Sequence, residues 1–235
     1  MASGSGSDPT LQESDDYESS ISTTDVEHLK RVWRREKAAP EIFQFESALI
    51  GRIREQIQLM EETVDEFSGS GIDPLTVSLY QMDLDRTQFL LRSYLRIRLQ
   101  KIEKYMFHIL NTDEIFNHLS KEEKLFAERC CNDLKTHLEE SVLSRLPENY
   151  QSVLKQSIIS EETDMVPKPQ LDSFVVCKTK YYLGHIHLED SEGRADDSAN
   201  QRPLEEPFEM EPNVLYFVRY RPIKKFVEEG KIDLY

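Results

Sequence analysis

The sequence predicts a mainly helical α+β protein: an N-terminal helical bundle with one long central helix, followed by a small C-terminal β-rich domain. Three observations carry this. Apolar residues recur at helical spacing over about 45–67, 74–110 and 121–145. No Gly or Pro follows Pro74 before residue 110. Beyond Val166 the texture changes to short β-branched and aromatic runs.

The first 23 residues are rich in Ser, Gly and Asp with few large apolar side chains, which predicts a disordered acidic tail. Order is expected from Thr24, where Thr24 and Glu27 fit a capping box. A short helix follows with Val26, Leu29, Val32 and Trp33 on one side, and Pro40 ends it. In the second helix Leu49, Ile53, Ile57, Met60, Val64 and Phe67 form a narrow stripe, broken by Ser68-Gly69-Ser70-Gly71.

Pro74 suits the first turn of the third helix, which at a rise of about 1.5 Å per residue is about 55 Å long. One stripe on it holds Val77, Tyr80, Leu84, Leu91, Leu95, Leu99, Ile102, Met106 and Ile109. A second group, Leu79, Met82, Leu90, Tyr94 and Ile97, falls on roughly the opposite side. A helix in a lone bundle needs one apolar face, so two predict a second packing partner. Ser120 and Glu123 fit another capping box and open a fourth helix, whose inner face is expected to be Leu125, Phe126, Leu134, Leu138, Val142 and Leu143. The helical domain is accordingly assigned to 24–148 and a linker to 149–167.

Pro167-Lys168-Pro169 is a stiff joint into the β-rich domain, 168–235. Strands are expected at 174–179, 185–188, 214–220 and 232–235, with a helical turn or two over 223–229 stopped by Gly230, and an acidic loop over 189–211. So small a domain is marginal alone and needs something to lean on.

The formal net charge is −15, of which residues 1–25 carry −6 and residues 189–211 carry −7. The remainder is nearly neutral. Acidic segments leave the body free to be locally basic, yet a pI of about 4.9 makes direct DNA contact weak or absent. Three cysteines without framework spacing point to a reducing compartment. No run approaches the ~20 apolar residues of a membrane span, and no secretory signal opens the chain, so a soluble intracellular protein with no membrane partner is expected.

Catalytic signatures are missing: there is no G-x-G-x-x-G, P-loop, G-x-S-x-G or H-E-x-x-H, so neither an enzyme nor a cofactor is expected. His185 and His187 share a strand face but lack a third ligand, and an ordinary strand face outweighs a metal site. Cys130 and Cys131 point about 100° apart on a helix, so only one is expected to be buried. The basic cluster Arg86, Arg92, Arg96, Arg98, Lys101 and Lys104 is interspersed with Asp83, Asp85 and Glu103, which favours ion pairs and protein contacts over nucleic acid. A small nucleic-acid-binding factor using helix 86–104 is the alternative reading. Leu11, Tyr17 and Ile21 among acids offer a docking motif for a partner with a basic groove, against the plainer reading of a solubilising tail.

The run from Met82 to Lys104, with Arg86 and Tyr94-Leu95-Arg96-x-Arg98-Leu99-x-Lys101-Ile102-Glu103-Lys104, resembles the core helix of Sld-five-type subunits of the GINS complex. Trp33-x-x-Glu36-Lys37-x-Ala39-Pro40-Glu41, Val166 to Val175, and Arg219-Tyr220 with the tail ending at Tyr235 agree in order. The resemblance spans most of 30–235. It implies a nuclear, non-catalytic, structural subunit of a heterotetramer. Its partners would be three other GINS subunits, with the minichromosome-maintenance ring and its RecJ-like partner, in the helicase of DNA replication initiation and elongation, and replisome adaptors would dock on the acidic N-terminal tail. The expected partner interface is Leu79, Met82, Leu90, Tyr94, Ile97, Arg98, Phe174, Val176, Tyr220, Leu234 and Tyr235.

Overall fold

A computed structural model describes residues 24–157, 165–186 and 208–235. Its elements run α1 (Asp25–Ala38), α2 (Ser47–Gly69), α3 (Pro74–Leu110), α4 (Asp113–Asn117), α5 (Lys121–Ser141), two 3₁₀ turns, β1 (Phe174–Thr179), β2 (His185–Ile186), β3 (Phe208–Glu209), β4 (Leu215–Arg219), α6 (Tyr220–Glu228) and β5 (Ile232–Leu234). The mainly helical α+β class is what the sequence predicts. The chain forms two compact units, Met1–Trp33 with Glu46–Ser93 and Arg34–Phe45 with Tyr94–Tyr235. The boundaries cut through α1 and α3, not through the 149–167 stretch.

In the first unit, α2 and the first half of α3 share a T-shaped contact of Phe67 on Tyr80 at 5.2 Å, and Gln88 donates to Glu61 at 2.7 Å. Leu29, Val32, Leu49, Ile50, Ile53, Val64, Leu84, Leu90 and Leu91 are its buried apolar side chains. The Thr24 box is half made: the Glu27 amide donates to Thr24 Oγ1 at 3.3 Å, while the Glu27 carboxylate meets Lys30.

In the second unit, α5 opens on a complete capping box between Ser120 and Glu123. The expected inner face of α5 is corrected in part. Phe126 and Leu134 pack against the core as expected, and Glu123, Ala127 and Cys131 are buried, whereas Leu125 and Val142 are exposed. The cause is electrostatic. Glu123 must face inward to meet the buried Arg98, and that rotates Leu125 toward solvent. A short α4, absent from the sequence reading, joins α3 to α5. Tyr105 departs from helical geometry at φ −115, ψ 18, near the end of α3.

The C-terminal sheet has the order β4-β1-β5, all antiparallel. Its inner face, with α6, forms a core of Val175, Cys177, Val218, Tyr220, Ile223, Val227, Ile232 and Leu234, joined by Met210 and by Ala39 and Phe43 from the segment after α1. The module thus leans on its own chain. Glu41 fastens the same seam, accepting from Tyr220 Oη at 2.5 Å and from Lys224 at 2.6 Å. Gly230 takes φ 72 after α6, a conformation that glycine adopts freely, and turns the chain into β5.

Arg98, 0% exposed, lies at the centre of this unit. Its Nε and Nη2 donate to the two Glu123 oxygens at 2.7 and 3.0 Å. Nη1 donates to Glu36 at 3.2 Å and to the Phe43 carbonyl at 2.7 Å, and Nη2 also donates to the His118 carbonyl at 3.2 Å. Burial opposes this charge, but the Glu123 hydrogen bonds and the Glu36 charge hold the guanidinium above its ordinary pKa. Lys101 donates to the Glu36 carbonyl, to Glu36 Oε1 at 2.9 Å and to the Glu41 carbonyl at 2.7 Å. Replacing Arg98 by Met leaves two buried carboxylates without their shared cation. Chemical denaturation should show a loss of about 3–5 kcal/mol, the usual cost of removing one partner of a buried pair; a loss under about 1 kcal/mol contradicts this.

Candidate interaction surfaces

The expected interface residues separate into two sets. Leu90, Tyr94, Arg98, Tyr220 and Leu234 are buried within the chain itself. Their assignment to a neighbour's surface is therefore corrected. Phe45 lies stacked on Tyr94 with centroids 6.4 Å apart, and Arg98 spends its fork on carbonyls and carboxylates of its own chain. Tyr220 and Leu234 belong to the sheet core. The physical reason, for Tyr94 and Arg98, is that Phe43 and Phe45 return onto them, and, for Tyr220 and Leu234, that the module's own core encloses them. Ile97 is half-buried.

Leu79, Met82, Phe174, Val176 and Tyr235 are exposed. On α3, Leu79 and Met82 belong to a longer row. Leu75, Leu79, Met82, Arg86 and Phe89 follow steps of four, three, four and three, so they share one face. Met82 is 66% exposed, and Leu75 and Phe89 are similarly bare. Leu75 and Phe89 were missed in the sequence reading, although the heptad step from Leu75 to Met82 to Phe89 carries the signal.

The second exposed face is the outer side of the sheet. The register sets Phe174 opposite Arg219, Val176 opposite Phe217, and Lys178 opposite Leu215. Phe217 is 67% exposed, stacked on Phe174 at 5.0 Å, and Arg219 lies over the Phe174 ring at 5.7 Å. The strand itself was legible from its β-branched and aromatic run, but which side faced the core was not.

Half of the basic cluster is engaged within the chain. Arg98 and Lys101 are consumed by the buried Glu36–Glu123 cluster, and Arg92 donates to Gln88 on its own helix. Cys131 is buried and Cys130 half-buried; burial, with Glu103 and Asp133 nearby, raises the Cys130 thiol above its ordinary pKa, against a nucleophilic role. His187, the Leu11–Ile21 strip and residues 189–207 of the acidic loop lie outside the described residues. Among the described residues no group of three or more His, Cys, Asp or Glu is placed to hold a metal, and no helix is long and apolar enough to cross a membrane.

A cavity of about 840 Å³ opens in the second unit, lined by Ile42, Ile109, Ile115 and Leu171 among apolar side chains, with Glu41, Glu114, Glu228, Lys168, Arg221, Lys224 and His108 among charged or titratable ones.

Among the described residues, two exposed apolar faces on an acidic chain are the features of a protein–protein interaction subunit. Comparison with known proteins identifies the family. Residues 49–142 match the family described as the GINS complex protein helical bundle domain, and residues 169–234 match the DNA replication complex GINS protein SLD5 C-terminus. The chain is 58% identical over 219 residues to "DNA replication complex GINS protein SLD5" of Arabidopsis thaliana, covering 93% of this chain and 94% of that one. It is 30% identical to the proteins of that name from Bos taurus and Homo sapiens, covering 89% of this chain and 88% of each. The chain belongs to the SLD5 family of GINS proteins.

One titration follows from the cavity. Burial, then the Lys168 charge, lowers the His108 pKa below its ordinary 6.5. The folded state therefore binds fewer protons here than the unfolded chain. The associated stability is present above pH 6.5 and is lost as pH falls through the folded-state value. Denaturation midpoints measured below pH 6.5 should fall less steeply with acid in His108→Gln than in the parent; an unchanged slope contradicts this.

Proposed function

We propose that this chain is a non-catalytic structural subunit of a nuclear, four-subunit GINS assembly. In this reading it joins three other GINS subunits and, through them, the minichromosome-maintenance ring and its RecJ-like partner in the replicative helicase. The single observation that carries the reading is the exposed row Leu75, Leu79, Met82 and Phe89 on α3. Apolar side chains aligned over several turns of a water-facing helix stabilise a chain only when another surface covers them. The outer sheet face, with Phe174, Val176 and Phe217, is the second contact surface on this account, and Tyr235 borders it.

The family membership supports a role in DNA replication, and the relatives are proteins of the DNA replication complex GINS. The acidic balance and the buried state of Arg98 and Lys101 favour protein partners over direct DNA binding.

Co-expression with the three partner subunits tests the proposal. Leu79→Asp with Met82→Asp places two charges on the row without touching any buried residue. The variant should keep the parent's circular dichroism and lose about 2 kcal/mol or more of association energy per anchor, which empties the pull-down. Full-yield recovery of all four chains with the double variant overturns the assignment. Leu90→Asp serves as the contrast: its site is buried within the chain, so it should unfold the protein itself.

A further inference from the structure

We infer that the cavity beside His108 is a docking site for a peptide segment presenting one carboxylate next to an apolar side chain. Its volume of about 840 Å³ lies in the range of real ligand pockets. Ile42, Ile115 and Leu171 give the apolar wall.

The charges on the wall decide the ligand's chemistry. Lys224 is held by Glu41 at 2.6 Å, and Arg221 is held by Asp172 at 2.9 Å. Among the described residues Lys168 makes no hydrogen bond or ion pair, and it acts on the His108 ring by charge alone. One cation beside one neutral imidazole matches one anionic group, with the imidazole free to donate a second hydrogen bond. Glu114 and Glu228 line the same cavity. They repel a polyphosphate or a nucleic-acid backbone more strongly than a single carboxylate paired with Lys168. An apolar body on a single charge is the combination that the apolar lining and Lys168 together complement.

The probe is a fluorescein-labelled pentapeptide, Gly-Leu-Asp-Leu-Gly, with blocked ends, titrated into the full chain in its purified assembly. The expected result is saturable anisotropy, about tenfold weaker for the Asn analogue and for Lys168→Glu, as loss of one charge-assisted bond requires. The His108 ring resonances should shift on binding in the parent. No saturable binding, equal affinity of the Asn analogue, indifference to Lys168→Glu, or displacement by ATP at lower concentration than by unlabelled peptide would each overturn the inference. Lys168 is exposed and lies on neither proposed subunit-contact face, so Lys168→Glu should co-purify with its partners normally. Failure of the peptide titration is thereby read separately from failure of assembly.

Discussion

Arg98 carries five N–H donors, and the chain brings five acceptors to them: both Glu123 oxygens, one Glu36 oxygen, and the carbonyls of Phe43 and His118. Those acceptors come from α1, the segment after Pro40, the end of α4 and the first turn of α5. A planar guanidinium can satisfy that set in one arrangement only, and a lysine cannot satisfy it at all. The cluster's worth is therefore geometric. A buried ion pair adds little net stability over well-packed hydrophobes, but it is costly to leave half-made. Glu123 ties the geometry to secondary structure, because the same carboxylate that grips Arg98 accepts from the Ser120 amide at 2.8 Å and caps α5.

The segment held by Arg98 and Lys101 then does two things at once. Ile42 turns into the core with Ile102, Ile109, Leu119 and Ala127, while Ala39 and Phe43 enter the core of the C-terminal sheet. Between them Glu41 accepts from Tyr220 and Lys224 of α6, and burial together with that carboxylate keeps the Tyr220 hydroxyl protonated far above its ordinary range. A sheet too small to stand alone acquires its missing core residues from a strap that the helical cluster has already fixed. Among the described residues, the α3 row around Met82 and the outer sheet face around Phe217 stay exposed. On the proposed function those are the surfaces that meet neighbouring subunits.

Much of this was legible in the sequence, and the boundary of legibility is physical. The helices were readable because their apolar residues repeat at 3.6, and α3 was predicted over 74–110, the residues it occupies. The Ser120 box was readable because capping is local chemistry. The partition of α3 between buried and exposed apolar residues was not. Leu90 and Tyr94 have the same local pattern as Leu79 and Met82, and only tertiary packing, such as that of Phe45 on Tyr94, distinguishes them. Arg98 was assigned to a partner interface, yet the carbonyls and carboxylates it binds sit 20 and more residues away in its own chain, a separation that no periodicity reports. The rotation of α5 failed for the same reason, since a buried Glu123 overrides the apolar stripe that contains Leu125.

If one cation organises both the helical cluster and the strap beneath the sheet, loosening it must be felt in both places. Amide hydrogen exchange on Arg98→Lys reads this directly. The account predicts that protection falls together at Phe45, which donates to His118, at Glu123 in the α5 cap, and at Tyr220, which donates to Ser173 in the C-terminal module. Loss of protection confined to the first turn of α5, with the Tyr220 amide exchanging at the parent's rate, would contradict it.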